Sequence, residues 1–190
     1  MAKDNVDLVF PPAVQRAQRD RATESAYDAR LVSGFPDRVT PDLAAFLAEQ
    51  DTAFLATATK SGSPYLQHRG GPKGFIKVID DRTVGFADYE GNRQYITLGN
   101  LSENDRAFLF VIDFARRQRV KLWGRARVVE NDPELVQRLL DRGYRARAKR
   151  AILFTIEAWD VNCASHIIAR FSEPELAGVL TARTEAKGGW

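Results

Sequence analysis

The chain has 190 residues, of which 44% are hydrophobic, and a net charge of only +3 at neutral pH. This is enough for one soluble globular domain with a sizeable core, and the small charge suits a basic pocket for a small acidic ligand better than a nucleic-acid surface. Cys163 is the single cysteine, which excludes an internal disulfide. The sequence also has no apolar run that could cross a bilayer and no secretory signal. These features together predict a cytoplasmic protein.

The sequence predicts three parts. Residues 1–38 are polar and irregular, and they predict an arm with a short helix that starts at Pro11-Pro12 and runs to Arg21. Residues 39–170 are predicted to form the main domain. Residues 171–190 are predicted to add a C-terminal helix and tail that pack on the same domain.

The main domain is predicted to open with a helix, for which Thr40 is the N-cap and Pro41 the first position. Residues 52–59 and 64–69 then predict a hairpin, because apolar and β-branched runs flank a Ser-Gly turn. After a glycine-rich break, further strands are predicted at residues 75–79 and 83–88.

A helix over residues 93–100 is predicted to follow the turn that contains Gly91 and Asn92. Residues 107–113 predict a buried strand, and residues 117–130 a long strand with one wet face, in which Gly124 marks a bend or a close backbone approach. A helix capped at residues 131–133 and a strand at 151–159 complete the pattern. Short turns between six or so strands indicate an α+β protein with an antiparallel, closed or half-closed β-barrel.

The strand, glycine turn and helix start between residues 83 and 100 are typical of an anion site. The free N–H groups and the dipole of a helix's first turn favour negative charge, and Arg93 would add a planar fork of donors. Arg69 and Lys77 on nearby strands could converge on the same anion. The alternative is that these residues are only capping groups and strand-edge charges.

Other chemistries have weaker signals. Cys163 and His166 form one Cys-x-x-His pair, which with His68 does not make a metal site, and we predict no metal. The basic run at residues 142–150 could touch nucleic acid, but a solvated helix end or loop is the favoured interpretation. We assign no acid or base; Tyr89 and His68 are the nearest candidates.

Three segments form a set: Gln67-His68-Arg69-Gly70-Gly71-Pro72 with Gly74-Phe75-Ile76, residues 85–101 around Gly91-Asn92-Arg93-Gln94-Tyr95, and Arg119-Val120-Lys121-Leu122-Trp123-Gly124. Together they resemble the pyridoxamine 5′-phosphate oxidase-like flavoproteins over about residues 40–170. The resemblance implies an FMN-binding split β-barrel and a homodimer with FMN at the subunit interface.

The resemblance also implies residue roles. Basic residues on adjacent strands and a Ser-Arg-Lys-type segment, here Asn92, Arg93 and Gln94, would hold the phosphate, with Gln94 in place of a lysine. One strand would lie along the flavin ring, another beneath the ribityl chain, and Gln118 or Arg119 would come from the partner subunit. The implied cofactor-binding set is Arg69, Phe75, Ile76, Lys77, Asp88, Asn92, Arg93, Gln94, Asn100, Gln118 and Arg119.

The function implied is an FMN-dependent oxidoreductase with a small-molecule substrate. The sequence lacks the C-terminal Arg-x-Leu-x-Pro-type segment of the true oxidase, so pyridoxamine phosphate is not the expected substrate. Three alternatives stay open: a flavin- or haem-binding protein without turnover, a deazaflavin-dependent reductase, and, from another class, a nucleic-acid-binding barrel.

Overall fold

The computed structural model describes residues 5–141, 143–162, 165–173 and 175–177. Its strands are β1 Thr52–Ala58, β2 Pro64–Gly70, β3 Lys77–Val78, β4 Thr83–Tyr89, β5 Arg106–Asp113, β6 Gln118–Val129 and β7 Ala148–Asn162. Its α-helices are α1 Val6–Val9, α2 Pro12–Arg19, α3 Asp28–Ser33, α4 Pro41–Ala48, α5 Ile96–Glu103 and α6 Pro133–Leu139, with a 3-10 turn at Glu24–Tyr27.

The strands form one antiparallel sheet in the order β2-β1-β5-β6-β7-β4-β3, and this sheet is curled. β2 and β4 lie five strand positions apart, which in a flat sheet would be about 24 Å. However, Arg69 Nη1 at the end of β2 is 2.7 Å from Asp88 Oδ1 on β4. The sheet therefore folds round into a barrel that stays split between β2 and β4. The predicted α+β class and antiparallel split barrel are confirmed.

The barrel interior is filled by alternate residues of its strands. Along β1, Ala53 and Leu55 are fully buried, and their neighbours are only partly covered. The same alternation fills the interior from β5 and β6, and each buried aliphatic side chain contributes about 1.5–3 kcal/mol. The core includes Leu43, Leu47, Leu55, Ile76, Val84, Phe86, Leu109, Val111, Leu122, Ile152, Phe154 and Ile156.

Two helix starts follow the sequence signals. Thr40 Oγ1 accepts a hydrogen bond from Leu43 N at 3.2 Å, and Pro41 is the first residue of α4. Asp132 Oδ1 accepts one from Leu135 N at 2.9 Å at the start of α6. Each cap satisfies an N–H group that has no partner within its helix.

The predicted start of α5 is wrong. The helix expected from residue 93 begins at Ile96, because Arg93 (φ 60°) and Tyr95 (φ 55°) both have left-handed backbone. Such residues cannot extend a right-handed helix. The strand expected at residues 75–79 is also shorter, since only Lys77 and Val78 pair with β4.

Gly124 confirms the predicted close approach. A Cβ built on Gly124 would stand 2.0 Å from the carbonyl oxygen of Thr155 on β7. The register between β6 and β7 shifts between Trp123 and Gly124. A side chain at this position would therefore separate the two strands at the bulge.

The described part of the N-terminal segment packs against β6 and β7. Asn5 Nδ2 donates to the carbonyl oxygens of Phe35, at 2.8 Å, and Glu157, at 3.0 Å. Phe35 is buried and its ring is 6.5 Å from the ring of Trp123. The division into arm, domain and tail stays a prediction, and the C-terminal helix and tail predicted at residues 171–190 lie mostly outside the described residues.

No helix among the described residues has the length and apolar character needed to cross a membrane.

Candidate functional site

A cleft of about 800 Å³ opens where the barrel is split. Its walls come from β2, the segment at residues 70–75, β4, the loop at residues 90–95, the first turn of α5, and the start of β7. One side of the cleft is thus the strand, glycine turn and helix start between residues 83 and 100, which the sequence predicted as an anion site. The other side is the opposite edge of the barrel.

A buried carboxylate lies at this cleft. Asp88 is only 3% exposed. Its Oδ1 accepts from Arg69 Nη1 at 2.7 Å, and its Oδ2 accepts from Arg150 Nε at 3.0 Å. A buried carboxylate is strongly destabilising unless it is paired and hydrogen-bonded. Here two guanidinium groups share one carboxylate, which leaves this cluster with a net positive charge.

The first turn of α5 faces the same cleft. Ile96, Thr97 and Leu98 line it, and no side chain of the described residues caps their N–H groups. Arg69 Nη2 donates to Thr97 Oγ1 at 2.9 Å, and Arg69 Nε is buried without a hydrogen-bond partner in the described part of the chain. Free N–H groups, a helix dipole and a guanidinium together form a donor set suited to an anion.

The loop at residues 90–95 forms the exposed wall. Asn92 Oδ1 accepts from Gln94 N at 3.2 Å, and Asn92 Nδ2 donates to Gln94 Oε1 at 3.1 Å. This pair holds a turn of the kind that Asn side chains favour. Arg93 between them is exposed and lines the cleft.

Six of the predicted cofactor residues meet in this cleft, and five do not. Those that line it are Arg69, Phe75, Asp88, Asn92, Arg93 and Gln94. Ile76 is part of the barrel core, Lys77 is paired with Asp141, Asn100 donates to Thr57 Oγ1 at 3.0 Å, and Gln118 and Arg119 begin β6. The cofactor role of all eleven remains a prediction.

Sequence reasoning missed several residues of the cleft. Arg150 and Lys149 belong to the basic run that was interpreted as a solvated loop, but its end joins β7. Arg150 pairs with Asp88, 62 positions earlier in the chain. No local signal reveals that pairing. The cleft is also lined by four of the five tyrosines, Tyr65, Tyr89, Tyr95 and Tyr144, which only the fold brings together.

Two groups in the cleft have shifted pKa values. Burial raises the pKa of Tyr89, and the charge of Asp141 and the neighbouring Tyr144 raise it further. A tyrosine phenol is already protonated at neutral pH, and a raised pKa keeps it so. Burial lowers the pKa of Arg150, but the hydrogen bond and charge of Asp88 outweigh it, so that this pKa is raised.

Tyr89 and His68, the two acid–base candidates, both line the cleft. The Tyr89 oxygen is buried and has no hydrogen-bond partner among the described residues, and the His68 ring packs edge-on against Phe54 with centroids 5.7 Å apart. Neither arrangement assigns a catalytic role. The described residues contain no group of three or more His, Cys, Asp or Glu that could hold a metal ion. Cys163 lies outside them.

The comparison with protein families matches residues 39–163 to the family described as pyridoxamine 5′-phosphate oxidase. No curated protein sequence matches the chain.

Solved structures share the fold. The crystal structure of HupZ from Group A Streptococcus has 16% sequence identity, and the match covers 70% of this chain and 99% of HupZ, with a TM-score of 0.52. An FMN-binding protein from Syntrophomonas wolfei has 13% identity, over 78% of this chain and 97% of its own, with a TM-score of 0.51.

Proposed function

Because the chain belongs to the pyridoxamine 5′-phosphate oxidase family, we propose that it is an FMN-dependent oxidoreductase that acts on a small molecule. The observation that carries this proposal is the set of donors in the cleft. The Asp88–Arg69 pair, the uncapped first turn of α5 and the exposed Arg93 surround one space. A phosphate monoester is the kind of group that such donors bind.

The residues present fit FMN. The buried Nε of Arg69 lacks a partner among the described residues, as expected of a donor whose acceptor is a ligand. Arg69, Arg93 and the N–H groups of Ile96 to Leu98 would hold the phosphate, with Asn92 and Gln94 as further polar contacts. Phe75 and Phe86, whose rings pack edge to face at 5.9 Å, supply an apolar wall.

Bound FMN would supply the hydride or electron transfer, and the chain would supply placement and charge. The paired Asp88 keeps Arg69 in one orientation, so little side-chain freedom is lost when an anion binds.

The proposal includes a homodimer. Gln118 and Arg119 do not line the cleft of their own chain, so they would reach a flavin only from a second copy. A positive charge from Arg119 near the flavin would favour the anionic reduced form and raise its potential. The homodimer and the cytoplasmic location remain predictions.

The test begins with the purified protein. We expect yellow protein, or colourless protein that takes up FMN, and gel filtration at the size of a dimer. Steady-state oxidation of NADH and NADPH by the FMN-loaded protein then tests turnover. Failure to bind FMN would overturn the proposal. FMN binding without turnover of either donor would favour a binding role or another electron donor.

A further inference from the structure

The cations expected at the phosphate are not all available. Gln94 is neutral where the resemblance implies a lysine, and Lys77 forms an ion pair with Asp141 away from the cleft lining. Lys149 lines the cleft, but its side chain is 79% exposed and lies 3.4 Å from Glu90. Of the cations expected at the phosphate, Arg69 and Arg93 remain, and a further fixed cation would strengthen the binding of a doubly charged phosphate.

Arg150 is such a cation. Its side chain is only 18% exposed, and its Nε donates to Asp88 Oδ2 at 3.0 Å. Its guanidinium carbon is 5.3 Å from the centroid of the Tyr95 ring. Its Nη1 is 3.7 Å from Glu130, too far for a hydrogen bond. The guanidinium is thus fixed through Nε, and its terminal nitrogens keep donors for a ligand.

Arg69 and Arg150 each contact a residue at the start of α5. Arg69 contacts Thr97 in the first turn, and Arg150 packs over Tyr95, the residue that precedes the helix. Asp88 accepts from both arginines. One buried carboxylate therefore holds two guanidinium groups that each contact a residue at the start of α5, before any ligand binds.

We propose that Arg150 is the second guanidinium of the FMN phosphate site and that Asp88 is the positioning residue that aims it. This inference rests on the proposed function, because it assumes FMN in the cleft. It explains how the pocket could hold a phosphate although Gln94 carries no charge. The proposal also accounts for the position of Lys149 and Arg150, the end of the basic run, in the cleft lining.

The competing explanation is that Arg150 only neutralises the buried Asp88. The two explanations differ in what they predict for FMN and riboflavin, which differ only by the phosphate. A phosphate contact affects FMN alone. A purely structural role affects the binding of both ligands equally, because it acts through the shape of the cleft.

The experiment is a fluorescence titration of the full chain with FMN and with riboflavin. We expect Arg150→Gln to weaken FMN binding about 10–100-fold, the range of one charge-assisted hydrogen bond, with riboflavin nearly unchanged. Arg127→Gln removes the same charge from an exposed position on β6. It should change FMN binding by less than about twofold, because salt screens a distant exposed charge.

A second variant covers the case in which Arg150→Gln does not fold. Asp88→Asn combined with Arg150→Gln removes the buried ion pair as a whole and leaves an amide oxygen to accept from Arg69. It should show the same selective loss of FMN binding. Equal weakening of FMN and riboflavin, or wild-type FMN affinity in the double variant, would overturn the role of Arg150. Wild-type protein that binds FMN no better than riboflavin would instead overturn the phosphate site in the proposed function.

Discussion

The two cationic walls of the cleft are fixed in different ways. On one wall, the buried Asp88 accepts hydrogen bonds from both Arg69 and Arg150. On the other, Arg93 is exposed and forms no ion pair within the described part of the chain. The buried wall therefore couples ligand binding to folding stability, whereas the exposed wall can contribute charge to a ligand with little effect on the fold.

Two residues of the exposed wall have strained backbone conformations. Arg93 and Tyr95 both have positive φ without being glycine, and each such residue costs roughly 1–2 kcal/mol. Non-glycine residues in this conformation concentrate at functional sites, where the surrounding structure holds them. The hydrogen-bonded pair Asn92 and Gln94 supplies that support here.

The largest expected effect is on stability. Asp88→Ala leaves two largely covered guanidinium groups without their carboxylate, and we expect the free energy of unfolding in urea to fall by up to about 3–5 kcal/mol. Glu90→Ala removes a carboxylate from the exposed wall, where the ion pair with Lys149 is worth about 0–1 kcal/mol. Similar losses for the two variants would remove the contrast between the walls.

The next effect is on binding alone. Arg93→Ala should weaken FMN binding about 10–100-fold through loss of a charge-assisted hydrogen bond. The thermal midpoint should stay close to that of the wild type, because the side chain is exposed. Flavin retained through gel filtration as fully as in the wild type would exclude Arg93 from the phosphate site.

Adding a positive charge to the exposed wall should strengthen FMN binding. Gln94→Lys places a second cation on the exposed wall, and we expect FMN to bind several-fold more tightly, by up to about 1 kcal/mol. The gain should shrink as salt is raised from low to physiological concentration, since exposed charges are screened. A gain that is equal for riboflavin, or independent of salt, would contradict a phosphate contact.

The smallest expected effect is on the flavin midpoint potential, to which Arg119 of a second copy is predicted to contribute. Arg119→Gln should lower the flavin midpoint potential by roughly 10–30 mV, given that 30 mV corresponds to about 1.4 kcal/mol for two electrons. Arg127→Gln, on the same strand, serves as the control and should leave the potential unchanged. An unshifted potential in the Arg119 variant would count against a partner residue at the flavin.

Local features of the fold could be predicted from the sequence. Thr40 and Asp132 cap their helices because short polar side chains before a proline and an apolar run specify a helix start. The alternation within residues 117–130 predicted the long strand β6, and short turns between six or so strands predicted the barrel class. The residue pattern also singled out Arg69 and Arg93, and the resemblance added Asp88; all three line the cleft.

The rest depends on long-range pairing and on backbone conformation. Arg150 reaches Asp88 only because β7 pairs with β4, across 62 residues of sequence. The late start of α5 depends on positive φ at Arg93 and Tyr95, residues that rarely adopt it. Neither property can be read from a window of neighbouring residues.

The central claim is that this cleft binds the phosphate of FMN. The most direct test is calorimetric titration of the wild-type chain with FMN and with riboflavin in the same buffer. We expect one FMN per chain and at least about 100-fold tighter binding than riboflavin, from two or more charge-assisted contacts. Equal affinity for the two flavins, or no binding of FMN, would contradict it.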